Sequence, residues 1–174
     1  CADVSRFSKW CAQRDTQPEY QNLMWYAHAT ADALRAAENA AVQAEVHGLG
    51  ICFVDTVLRS ADRLVELLSL PRGVVPTAVL AVGHPAEQPP VSDRLPMEAV
   101  VHYDCYNQFT SAEIDELWAE RETSEQTLAL LEHYGADNLA RIFTDFRYPA
   151  DDNMQYTKRY LATLRAQGFI DNEQ

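Results

Sequence analysis

Residues 22–47 hold nine alanines between Ala27 and Ala44, and Gly48 and Gly50 follow them. Alanine is the best helix former, so the spacing predicts one long helix across this stretch, ended by the glycines. Asp32, Arg35, Asn39 and Gln43 recur at intervals of three and four and form a single polar stripe. The rest of the surface is small and apolar, and a helix of that kind is buried on more than one side. Two arrangements satisfy it: a helix held between a sheet and a second subunit, or an ordinary core helix. Either needs a sizeable core, and 174 residues with 47% hydrophobic content supply one.

The segments after this helix alternate in type. Ile51-Cys52-Phe53-Val54 is a short apolar run ended by Asp55-Thr56, and it predicts a buried strand with Cys52 as a buried free thiol. A short helix is expected from about Ser60, with Ala61, Leu64, Val65 and Leu68 on one face. Leu70-Pro71-Arg72-Gly73 is turn chemistry. Val74–Val82 predicts a second strand, with Pro76 near its start and Gly83-His84-Pro85 closing it. Residues 5–21 are polar, contain Pro18 and read as a loop. Residues 111–134 read as an acidic helical stretch. Asp152 or Asn153 can cap a last helix through about Ala166, stopped by Gly168. Neither internal repeats nor low-complexity segments occur.

Cys1-Ala2-Asp3-Val4 reads as the end of a strand already under way. Three readings compete for it: a chain whose beginning lies elsewhere, a processed N-terminal cysteine nucleophile, or a lipid-modified cysteine. The first is favoured, because a strand tail with no hairpin partner suggests a cut, and nothing nearby supports the free amine and activated thiol that a nucleophile needs.

A formal net charge of −12 argues against a general nucleic-acid or anionic-membrane surface. No apolar run is long enough to span a bilayer. A bound anion would need a local device such as a placed arginine. The four cysteines lie far apart without a Cys-x-x-Cys pair, which points to a reducing, cytoplasmic compartment. His102-Tyr103-Asp104-Cys105-Tyr106 matches no metal-ligand spacing and reads as a short extended segment. His84 reads as a turn residue. Neither a glycine-rich dinucleotide fingerprint nor a P-loop is present, and no catalytic side chain or metal ligand is assigned.

What remains is an ordered series: Ala-Ala-Glu-Asn-Ala-Ala (36–41), Gly-Leu-Gly (48–50), Leu-Ser-Leu-Pro (68–71), Val-Gly-His-Pro (82–85) and Arg-Leu-Pro (94–96). In that order and spacing the chain resembles the FMN-dependent nitroreductases, most closely the branch of oxygen-insensitive NADPH nitroreductases and flavin reductases. The resemblance runs from residue 1 to about residue 106. It implies an α+β fold, with an antiparallel or mixed sheet flanked by helices. Residues 1–106 would form the core, its N-terminal part missing, and 107–174 a helical extension. It also implies a homodimer built on the long helix, with FMN at the subunit interface, NAD(P)H as co-substrate and a small-molecule electron acceptor: a nitroaromatic, a quinone or a flavin.

Carried over by position, Arg94 matches the arginine that grips the FMN phosphate. Ser92 stands where the family usually has a lysine. Phe53, Val54, Asp55 and Thr56 match the segment against the flavin ring, where the family often has glycine in place of Asp55. These departures favour a second reading, a non-enzymatic flavin-binding or dimerisation module. A third, an N-terminal cysteine hydrolase, would rest on Cys1.

Overall fold

The computed structural model describes residues 1–89, 91 and 93–170. The chain forms two compact units, one made of residues 1–87 with the chain from Met154 on, the other of residues 88–153.

The first unit is α+β. Strand β1 (Ala2–Asp3) leads into helix α1 (Ser5–Ala12), and α2 (Leu23–Val46) follows. Next come β2 (Gly50–Val54), a 3-10 turn (Asp55–Ser60), α3 (Ala61–Leu67), β3 (Val74–Val75) and β4 (Val79–Gly83). The later part of α7 (Ala150–Ala166, numbered after the second unit's helices) completes the unit. The strand tail expected at the N-terminus is there, and it pairs antiparallel with β3, Ala2 opposite Val75. β2 pairs antiparallel with β4, from Gly50 opposite Gly83 to Val54 opposite Val79.

The predicted long helix forms. Asn22 caps it by accepting a hydrogen bond from the Trp25 N–H at 3.1 Å. Helix α2 packs on β1, β2 and β4. Leu34, Val42 and Val46 of this helix are exposed, interspersed with the exposed polar residues Arg35, Asn39 and Gln43.

Three expectations are corrected. Residues 5–21 are not all loop, because Ser5–Ala12 is helical: the Asp3 carboxylate accepts from both the N–H and the hydroxyl of Ser5, each at 2.8 Å. Residues 74–82 are not one strand: the run divides at 76–78, and its halves pair with different partners. Cys52 is exposed. The β2–β4 pair has two faces, and successive side chains alternate between them, so an unbroken apolar run does not bury every member.

The core of this unit is Val4, Val75, Leu164 and Phe169, with Tyr20, Tyr26, Ala29, Tyr160 and Ile170 packed around it. Tyr26 and Tyr160 share a hydroxyl–hydroxyl hydrogen bond. Burial first, then that bond, raises the Tyr160 phenol far above its ordinary range. The last helix ends at Ala166 as the glycine signal predicted, with Gly168 at φ +83°.

The second unit is helical: a 3-10 turn (Met97–Ala99), α4 (Ser111–Glu122), α5 (Glu125–Tyr134), α6 (Leu139–Arg141) and a π-helical turn (Ile142–Arg147). The helical stretch predicted over 111–134 is therefore two helices. Thr110 and Glu113 form a reciprocal capping box at the start of α4. Ser124 caps α5 by accepting from the Thr127 N–H at 3.2 Å. Leu139 and Ile142 are the buried apolar anchors here.

Candidate functional site

The 53–56 segment lies where a strand becomes a turn. Phe53 and Val54 are half-buried in β2, opposite Leu80 and Val79. Asp55 and Thr56 open the 3-10 turn, and both are exposed. At the other end of β2 the chains crowd: a Cβ on Gly50 would stand 3.3 Å from the Pro85 Cβ, so this position favours glycine.

The segment after Thr56 is tied to α7. The Arg59 guanidinium lies 4.7 Å from the centroid of the Tyr156 ring. Arg159 donates to Asp62 Oδ2 at 2.8 Å. That bond, opposed by slight burial, holds the Asp62 carboxyl below the usual aspartate range. Both contacts brace the turn carrying Asp55 and Thr56 from its C-terminal side.

Arg94 belongs to the second unit. Its Nη1 donates to the Asp93 carbonyl at 3.0 Å. Arg121, from the last turn of α4, places Nε 3.4 Å from Asp93 Oδ2, and its guanidinium is 5.4 Å from the centroid of the Trp118 ring. Arg94 and Arg121 line one cleft of about 530 Å³ with Asp93, Leu95, Met97 and Val100. Ser92 lies outside the described residues. A guanidinium is a rigid fork of N–H donors suited to phosphate oxygens, and here two of them border the same space. Sequence reading missed Arg121. It sits among the charges of an acidic helix, and nothing local announces that it meets Asp93.

His102 is fastened in a loop. Its Nδ1 accepts from the Asn107 N–H at 3.1 Å, and its ring lies 4.5 Å from that of Tyr106. Turns through 103–105, with Asp104 at φ +62°, replace the extended segment expected there. Among the described residues, no group of three or more His, Cys, Asp or Glu is placed to hold a metal, and no helix is long and apolar enough to cross a membrane.

The chain is 35% identical over 109 residues to an FMN reductase (NADPH) of Bacillus subtilis, a match covering 62% of this chain and 44% of that protein. It is 33% identical over 106 residues to an oxygen-insensitive NADPH nitroreductase of Salmonella typhimurium, covering 61% of this chain and 42% of that protein. The chain thus spans less than half the length of these curated relatives. A crystal structure of a Bacteroides fragilis protein assigned as an oxidoreductase superposes with a TM-score of 0.94 at 37% identity, covering 97% of this chain and 69% of that one. The NfrA1 nitroreductase of B. subtilis superposes with a TM-score of 0.78 at 25% identity, covering 97% and 68%. No protein-family model matches the chain.

Proposed function

Because the chain belongs to the nitroreductase family, we propose that it serves an FMN-dependent oxidoreductase that passes reducing equivalents from NAD(P)H to a nitroaromatic, a quinone or a flavin. The observation that supports this most directly is the cleft of the second unit, where Arg94 and Arg121 present guanidinium groups to a space of about 530 Å³. Bound FMN would supply reversible two-electron chemistry at its ring; the protein binds and orients it and tunes its electronics.

Each residue has a definite part. Arg94 holds the phosphate. Residues 53–56 line the ring, chiefly through backbone groups, with Phe53 and Val54 fixed in β2. Asp55, exposed at the head of its turn, sets a negative charge that disfavours an anionic reduced ring. No side chain need act as a general acid or base, since water can deliver protons. The names of the curated relatives favour NADPH as donor. The exposed apolar side chains of α2, Leu34, Val42 and Val46, support the homodimer.

The experiment is a titration of the chain with FMN, followed by NADPH oxidation with a quinone or nitrofuran acceptor. Uptake of FMN with a flavin spectrum and turnover is the expected result. Uptake without turnover selects the second reading, a flavin-binding or dimerisation module, which Asp55 favours. A chain that takes up no FMN overturns the oxidoreductase reading and the flavin-binding one, and leaves only a dimerisation module.

A further inference from the structure

We infer that Arg121 is a second phosphate-binding residue, standing in for the positive charge that Ser92 does not bring. The inference deepens the flavin reading above and rests on it for the identity of the ligand.

Three observations converge. Both arginines are anchored on one residue: Arg94 donates to the Asp93 backbone carbonyl, and Arg121 pairs with the Asp93 carboxylate. Both line one cleft. The Arg121–Asp93 pair is loose at 3.4 Å, with the arginine side chain 31% exposed, so N–H donors remain for an incoming anion. Trp118 supports the guanidinium from the side and limits its wandering.

Asp93 is the opposing group in the cleft, and it is also what holds Arg121 there. The lining carries two positive charges against one negative, in a chain whose overall charge is −12. The alternative is that Arg121 and Asp93 merely fasten α4 to the preceding loop. That role would affect folding but would not distinguish a phosphorylated ligand from its unphosphorylated counterpart.

The test compares FMN with riboflavin, which lacks the phosphate, and adds inorganic phosphate as a probe without a ring. Binding is measured by flavin fluorescence and by calorimetry on the full chain, together with the thermal midpoint of the ligand-free protein. Arg121→Gln should weaken FMN on the order of tenfold, the size of one lost charge-assisted hydrogen bond, and leave riboflavin unchanged. Arg121→Lys should recover part of the loss. If FMN outbinds riboflavin in the parent chain and Arg121→Gln leaves that ratio unchanged, the inference fails and the flavin reading survives. If phosphate binding depends on Arg121 while FMN binds no better than phosphate, the two-arginine cleft stands and the flavin reading falls. If neither FMN nor phosphate binds, both are overturned.

Discussion

At the residue scale, two glycines in the left-handed region separate backbone strain from steric crowding. Gly48 (φ +75°) has nothing within 4 Å of where a Cβ would stand, whereas at Gly168 (φ +83°) that position is 2.7 Å from the Arg72 guanidinium. Gly48→Ala should therefore cost only the left-handed penalty, about 1 kcal/mol. Gly168→Ala also displaces the Arg72 guanidinium, the exposed end of a flexible side chain, and should cost a little more, about 1.5 kcal/mol. In an Arg72→Ala background the excess at Gly168 should vanish, because the two positions are in contact. Urea midpoints of the five proteins check this; equal costs at the two glycines in the parent chain would mean that the Arg72 contact is not firmly seated. The same scale explains what sequence could reveal of the site. Arg94 is visible because it follows a proline-rich run in an acidic chain. Arg121 is hidden because its partner, Asp93, lies on another segment, and contact between distant segments leaves no local pattern.

At the element scale, the chain's acidic groups fasten helix starts and helix contacts, and this sets its response to acid. Asp3 is pushed up by partial burial, but hydrogen bonds from Ser5 and Arg6 outweigh that and hold it below the ordinary aspartate range. Asp62 is lowered by Arg159, and Glu113 by the Thr110 N–H and hydroxyl. A carboxylate lowered on folding contributes stability that is present above its unfolded value and lost as pH falls through its folded one. Stability should therefore fall as pH drops below about 4, the ordinary carboxylate range. Asp3→Asn should flatten that decline, while Thr110→Ala should cost about 1 kcal/mol at neutral pH. Thermal midpoints from pH 7 to pH 2.5 decide it, and an unchanged slope in Asp3→Asn would remove Asp3 from the account. Elements set by local chemistry were legible: α2 with its alanines and terminal glycines, β2, and the stop at Gly168. Those set by pairing were not. Val74–Val82 reads as strand throughout, but β-branched residues cannot announce that 74–75 pair with β1 and 79–83 with β2. Helix α1 was missed although Val4, Phe7 and Cys11 recur at helical spacing, because Pro18 and the polar residues around it draw the whole 5–21 stretch toward loop.

At the scale of the whole molecule, the charge of −12 acts in opposite directions on the two associations proposed. Two copies meeting across α2 bring like charges together. Salt shortens the range of that repulsion, to a Debye length of about 8 Å at physiological ionic strength and about 3 Å at 1 M. The apolar contacts that would hold the pair, through Leu34, Val42 and Val46, are not weakened by such screening. Self-association should thus tighten as salt rises. Phosphate binding at the exposed Arg94 and the half-buried Arg121 rests on solvent-accessible, attractive charge and should loosen over the same range. Sedimentation of the chain at 50 and 500 mM salt, paired with FMN titrations at the same salt and at fixed protein concentration, reads both slopes. Leu34→Glu and Val42→Glu, which place charge at two exposed apolar positions of α2, should shift the chain toward monomer by at least about tenfold in dissociation constant. A dimer indifferent to both substitutions would place the subunit contact away from α2. A dimer that falls apart as salt rises would mean that charge pairs, not the exposed apolar side chains of that helix, hold the two copies together.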